Sequence, residues 1–276
     1  MEKKFKQILL KAKKKVFTGN LGNNISTFKG TGLDFSEIKD YVIGDDVRSI
    51  NWKSSAKGVG LKVNVFNEER ELNIVTVFMI NGSINFGTKR VKQEVMAEVL
   101  GMLSYTALRN GDNLTTLFFD SALERLFKPT KNLGLVDEVL EHALTLDPVT
   151  KKIDMTQLCH FINISLKRKS LIFLIGDFYE DIDLSSIAHK NEVYALMVRD
   201  RFEEDPHLGG DFSLVDPVTL EEDNLNLDKS NIAEYKRLIQ AHDETLHEHF
   251  LMHRIKYGKI YTDDDVFIKM SQILKA

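Results

Sequence analysis

The chain has 276 residues, 43% of them apolar and 28% charged, with a formal net charge of −4. Its length accommodates about two domains or one large α/β domain. Four prolines and 16 glycines exclude a collagenous or low-complexity chain, and the single cysteine, Cys159, excludes an internal disulfide and a four-cysteine zinc site. No apolar run approaches the roughly 18 residues of a membrane-spanning helix. The run Ile8-Leu9-Leu10 is too short for a signal-peptide core of about 7–15 residues. The expectation is a cytoplasmic protein in a reducing compartment.

Charge is distributed unevenly. Residues 1–70 carry 14 Lys/Arg against 8 Asp/Glu, and residues 71–276 carry 23 against 33. Residues 1–17 read as an amphipathic helix with Phe5, Ile8, Leu9, Ala12 and Val16 on its apolar face, and seven lysines fall between Lys3 and Lys15. Such a helix suits a solvated surface, a peripheral contact with an anionic membrane, or an acidic partner. Nucleic acid is not expected, because the basic stretch has no aromatic interleaving and the chain as a whole is acidic.

Residues 18–70 are punctuated by glycine and read as irregular, with a strand over about 61–66. From about residue 72 strands and helices alternate. Strands are expected over 73–80, 114–119, 171–175 and 193–198, where branched and aromatic residues concentrate. Helices are expected over 91–109, 133–144, 155–166 and 232–254; in the first, Val95, Val99, Met102 and Leu103 share one arc with Val91 beside it. The alternation implies a doubly wound, Rossmann-like, mostly parallel sheet covered by helices. Two units are expected, residues 1–70 as an irregular and strand-containing extension and residues 71–276 as the sheet domain. Sheets of this kind bind ligands beyond the C-terminal ends of their strands. That places attention on Asn81-Gly82-Ser83-Ile84-Asn85 and on Gly176-Asp177.

Two readings compete there. The loop from Gly82 to Lys89 reads G-S-I-N-F-G-T-K between a strand and a helix, close to the phosphate loop G-x-x-x-x-G-K-[ST]. Thr88 precedes Lys89, however, so the order is swapped, and one position turns a side chain by about 100° on a helix. A nucleotide hydrolase using Ser83, Lys89 and Asp177 is therefore the alternative reading. The other is a metal-ion-dependent adhesion site of the von Willebrand factor A type, with D-x-S-x-S after the first strand, a later threonine and a later aspartate. Here Asn81, Ser83 and Asn85 occupy the first motif, and Thr156 and Asp177 supply the later positions. Asn81 retains a carbonyl oxygen but lacks a unit charge, so magnesium, which leans on carboxylates, is expected to bind weakly or not at all.

Two long segments carry a family resemblance. They are Asp34-Phe35-Ser36-Glu37-Ile38-Lys39-Asp40-Tyr41 and Gly44-Asp45-Asp46-Val47-Arg48-Ser49-Ile50-Asn51-Trp52-Lys53-Ser54-Ser55-Ala56-Lys57. With Glu69-Arg70, Phe86-Gly87, Gly176-Asp177-Phe178 and Asp216-Pro217-Val218-Thr219, they resemble the bacterial domain-of-unknown-function family fifty-eight. Asn51 stands where that family usually has Asp, and Lys39 where it often has Arg. The resemblance implies a von Willebrand factor A-like sheet with a degenerate metal site. It also implies a non-catalytic adaptor or co-chaperone that works with a MoxR-type AAA+ ATPase.

The remaining chemistry-bearing residues are read as structural. His242, His249 and His253 share a helix face with Tyr235, Ile239, Leu246 and Phe250, which places them at a packing boundary. Cys159 and His160 are adjacent, so a helix cannot aim both at one point, and Cys159 reads as a small buried residue. For Asp45, Asp46, Arg48 and Trp52 two roles stand open. In one, Arg48 pairs with a carboxylate and Trp52 pins the extension to the sheet domain. In the other, the group docks a partner.

Overall fold

A strand buried on both faces reads as a continuous apolar run, and Ile74-Val75-Thr76-Val77-Phe78-Met79 is such a run. In the computed structural model, which describes residues 33–58, 60–68, 71–207 and 210–275, this run is the centre of a six-stranded sheet. The described chain divides into two compact units, one ending at Leu72 and one carrying the residues from Asn73 onward. The helix expected over residues 1–17, with its lysines, lies outside the described residues.

The first unit is less irregular than its composition implies. Strands β1 (Leu33–Asp40) and β2 (Lys62–Glu68) pair antiparallel, with a register shift between Phe35 and Glu37. The connection holds a single 3-10 turn over Val47–Ser49 and a one-turn helix α1 (Trp52–Ser55). Its polar residues satisfy the turning backbone. Asp46 accepts from the Arg48 amide at 2.9 Å, Asn51 accepts from the Ser54 amide at 2.9 Å, and the Asn51 amide donates to Asn64 at 2.8 Å. This local capping is what Asp and Asn do at helix starts.

The second unit contains β3 (Asn73–Met79), α2 (Lys92–Arg109), β4 (Asn113–Phe119), β5 (Leu123–Thr130), α3 (Leu135–Thr145) and α4 (Met155–Ser165). It continues through β6 (Leu171–Gly176), α5 (Ser185–Ala188), β7 (Glu192–Arg199), α6 (Arg201–Glu204) and the antiparallel hairpin β8 (Gly210–Val215) and β9 (Glu222–Leu227). The long α7 (Lys229–Met252), β10 (Lys256–Tyr261) and α8 (Val266–Ile273) complete it. The sheet order is β10-β7-β6-β3-β4-β5, parallel throughout except for the antiparallel edge strand β5. The chain therefore winds outward from β3 in one direction and returns to wind outward from β6 in the other. The switch point lies between these two strands, which is where such sheets gather their ligands.

Side-chain alternation assigns the helices to two faces. Val75, Val77 and Met79 of β3, with Ile172 and Leu174 of β6, pack with Leu158 and Ile162 of α4 and with Leu246 and Phe250 of α7. The opposite face carries Thr76 and Phe78, and α2 packs across β3, β4, β6 and β7. Sixteen of the 18 residues of α2 are buried. That explains why its apolar pattern is broader than a single stripe, since a helix buried all round has no solvent face to keep polar.

Candidate functional site

The strand-end loops of β3 and β6 meet as the sequence leads one to expect, but around a residue that the sequence reading does not single out. Ser83, in a 3-10 turn over Gly82–Asn85, donates its hydroxyl to Asp177 Oδ2. Lys92, the first residue of α2, places Nζ 2.8 Å from the same oxygen and 2.6 Å from Glu203 Oε1. The lysine side chain is 0% exposed and that of Asp177 is 2% exposed. The ammonium also lies 5.1 Å from the Tyr179 ring centroid, within reach of a cation–π attraction. Burial holds the Glu203 carboxyl above its ordinary range, and the neighbouring Lys92 charge offsets only part of that rise.

A second buried cation holds the Asp177 loop from the other side. Arg199, at the end of β7, is fully buried, donates to the Asp177 and Phe178 carbonyls, and stacks over the Tyr179 ring at 3.6 Å. Phe178 has φ of 55°, a left-handed conformation rare for a bulky residue and costing on the order of 1–3 kcal/mol. Its ring is buried against Phe250, and its carbonyl is also bonded by His242 at 2.9 Å. Packing and three hydrogen bonds from two side chains, Arg199 and His242, thus hold an otherwise unfavourable turn just after Asp177.

The five residues expected to form a magnesium site are only partly assembled. Ser83 and Asp177 are joined. Asn81 is buried beside them, but its amide donates to Glu180, leaving the Asn81 Oδ1 and Glu180 Oε2 atoms buried without a hydrogen-bond partner among the described residues. Burial, and then the Asp177 charge, push the Glu180 carboxyl up to about 7. Asn85 and Thr156 are exposed and lie outside this hydrogen-bonded group. Among the described residues, no group of three or more His, Cys, Asp or Glu is placed to hold a metal ion. The donor set does not fit a divalent ion, because the cation position against Asp177 Oδ2 is taken by the Lys92 ammonium.

The phosphate-loop residues serve other purposes. The Thr88 amide and hydroxyl both donate to Asp200, at 2.8 and 3.0 Å, and Lys89 is exposed with Nζ 4.0 Å from Asp263. Burial raises the Asp200 carboxyl, and hydrogen bonds from Thr262, Thr88 and Phe202 more than offset this, so it lies below its ordinary range.

The other residues singled out from the sequence take definite places. His249 accepts the Leu184 amide on Nε2 at 3.0 Å and stacks with His253 at 4.6 Å, so its free nitrogen is spent on backbone. Cys159 is buried, and burial lifts its thiol to about 11. Arg48 pairs with Asp46 at 3.1 Å, and Asp45 accepts from Lys39 and from the Val42 amide. Trp52 is 68% exposed.

Gly82 connects this site to the Asp216-Pro217-Val218-Thr219 turn. A Cβ at Gly82 would lie 2.5 Å from the Pro217 carbonyl oxygen, so only glycine permits the approach. The Pro217 carbonyl accepts the Thr150 amide at 2.8 Å, and Asp216 accepts the Val218 and Thr219 amides. Two motifs 134 residues apart in the chain are thereby in backbone contact.

A family profile described as "Protein of unknown function DUF58" matches residues 37–245. Uncharacterized proteins of Mycobacterium bovis and Mycobacterium tuberculosis are 22% identical over 228 residues, covering 80% of this chain and 72% of theirs. Among solved structures, the conserved hypothetical protein BatB from Bacteroides thetaiotaomicron is similar at 10% identity and a TM-score of 0.43, covering 74% of this chain and 100% of its own. An aerotolerance-related membrane protein from Bacteroides fragilis is similar at 11% identity and a TM-score of 0.42, covering 73% and 96%. A membrane spanning protein from Vibrio fischeri is similar at 13% identity and a TM-score of 0.28, covering 72% and 94%. The last two are described as membrane proteins, and the cytoplasmic placement expected from the sequence is withdrawn. Among the described residues, no helix is long and apolar enough to cross a membrane.

Proposed function

This chain belongs to the family of proteins of unknown function DUF58, and we propose that it is a non-catalytic protein-interaction module of von Willebrand factor A-like architecture. The strand order supports that architecture, because counted from β3 it runs 3-2-1-4-5-6 with an antiparallel strand at one edge. The interaction surface is the strand-end rim, where the loop after β3 and the first turn of α4 present Asn85, Phe86 and Thr156 to solvent. The observation that carries the reading is the state of Asp177. Its Oδ2 is occupied by both Ser83 and Lys92, and it is buried, so it is a fixture of the rim and not a group free to bind or activate a reactant.

The hydrolase alternative is less well supported. A phosphate loop needs its lysine and hydroxyl on the ligand, whereas Thr88 is spent on Asp200 and Lys89 lies three residues ahead of α2 on the surface. The partner is a MoxR-type AAA+ ATPase, for which this chain acts as adaptor or co-chaperone; the family resemblance supports that choice. The lysine-rich residues 3–15 add a peripheral contact with an anionic surface. The test is a binding titration of the ATPase against the wild-type chain and the rim variants Asn85→Arg and Thr156→Arg, run beside an ATP-hydrolysis assay of the chain alone. Binding lost in the variants, with no hydrolysis by the chain, supports the reading. Hydrolysis abolished by Lys89→Ala would instead support the alternative.

A further inference from the structure

Lysine is an unexpected residue at the position it occupies. Lys92 opens α2, where the helix dipole disfavours a positive charge, and its side chain is completely buried. A buried ammonium is stable only where it is paired and its three N–H donors are used. Two carboxylates from separate elements supply that pairing, Asp177 after β6 and Glu203 in α6.

We propose that Lys92 is a resident cation, tethered to the fold, that takes the place of a divalent ion at the strand-end rim and makes the rim independent of metal. Three observations on the site lead there. Without the ammonium, Asp177, Glu203 and the Ser83 hydroxyl form a hard-oxygen set of the kind that magnesium, manganese and calcium select. Beside it, Asn81 Oδ1 and Glu180 Oε2 are buried oxygens with no hydrogen-bond donor among the described residues. With the ammonium present, an ion approaching Asp177 Oδ2 meets a positive charge already 2.8 Å from that oxygen, in a site screened from water.

The consequence concerns recognition as well as stability. A bound divalent ion offers an open coordination position to a partner's carboxylate, but a lysine whose Nζ is enclosed by Asp177, Glu203 and the Tyr179 face offers none. Contact at this rim therefore runs through the exposed side chains around the site. The inference concerns the cation alone and holds whether or not the chain is an adaptor.

The test uses the full-length protein and manganese, whose free ion is read by electron paramagnetic resonance. Wild type should show no manganese site tighter than ~1 mM, and its melting temperature should be the same in EDTA as in magnesium. Lys92→Ala should melt lower in EDTA by on the order of 10 °C. It should gain a manganese site, recover part of the lost melting temperature with manganese, and lose both gains when Asp177→Asn is added. Manganese binding by wild type that Asp177→Asn abolishes would overturn the proposal. So would a folded Lys92→Ala that does not respond to manganese. If Lys92→Ala fails to fold under either condition, the wild-type titration alone decides.

Discussion

Lys92 Nζ lies 2.8 Å from Asp177 Oδ2, with the two side chains 0% and 2% exposed and 85 residues apart in the chain. The pair ties the start of α2 to the end of β6, on the two sides of the switch point between β3 and β6. Breaking a buried pair by removing one partner leaves an uncompensated charge, at a cost of about 3–5 kcal/mol. Lys92→Met and Asp177→Leu should each destabilise by about that amount in urea titrations. The double variant should cost clearly less than the two single costs added together. Additive costs would mean that the two groups are not energetically paired.

Gly82 gives a second prediction. Gly82→Ala places a methyl group 2.5 Å from the Pro217 carbonyl oxygen and 2.8 Å from its carbon. Both are backbone atoms, so relief requires the 216–219 turn or the 82–85 turn to move. The expected cost is about 1–3 kcal/mol, with faster amide hydrogen exchange at Thr150, which donates to that carbonyl. An unchanged midpoint and unchanged exchange at Thr150 would contradict this contact.

Glu180 makes stability depend on pH in a direction opposite to that of an ordinary paired carboxylate. Burial and the Asp177 charge raise its folded-state value from 4.5 to about 7, against the opposing effect of Lys92 and Lys152. The folded protein therefore binds the proton more tightly than the unfolded chain. Its contribution is fully present below about pH 4.5 and is lost as the pH rises through about 7. The size is on the order of 3 kcal/mol. Glu180→Gln keeps an acceptor for Asn81 and removes the titration. The difference between wild type and Glu180→Gln in urea stability should grow between pH 5 and pH 8, with the variant gaining relative to wild type. A constant difference across that range would rule out the raised value.

Cys159 should be inert in the native protein. Its thiol is buried, donates to the Asp183 carbonyl at 3.4 Å, and is raised by burial to about 11, so little thiolate is present near neutral pH. Labelling with a thiol-reactive disulfide should be slow in buffer and complete at once in urea. Equal rates in the two conditions would place the thiol at the surface.

The sheet was legible where physics makes strands and helices unambiguous. The runs at β3, β4, β6 and β7 are apolar because both their faces are covered, and the expected bounds differ from the observed ones by one residue at most ends. Strand β5 was missed because it is an edge strand with alternating exposure and contains Pro129. Strand β10 was missed because Lys256, Gly258 and Lys259 dilute its pattern. Gly258 is there because a Cβ would meet the Ile273 side chain of α8 at 2.4 Å. In the first unit β2 was expected over about 61–66 and runs over Lys62–Glu68, whereas β1 was hidden by its polar setting.

The site was half legible. The pairing of Ser83 with Asp177 follows from two strand-end loops at a switch point, which the sequence does disclose. Lys92 is not among the residues that the sequence singles out. A lysine at the first position of a helix whose later turns are rich in Val, Leu and Met was the available signal, because such a charge needs a buried partner from elsewhere. Arg199 carried less signal, since it follows an apolar strand where a solvent-facing arginine is equally common. Asn85 and Thr156 were placed in the site by motif spacing alone, and spacing says nothing about whether a loop turns its side chain inward.

The most direct test of the central claim is the affinity of the proposed MoxR-type ATPase partner for this chain, measured by titration in EDTA and in magnesium, for wild type and for Asn85→Arg with Thr156→Arg. The account expects equal affinity in the two buffers and at least a tenfold loss in the double rim variant, whose exposed substitutions leave the melting temperature unchanged. Binding that requires magnesium, or that survives the rim substitutions undiminished, would contradict it.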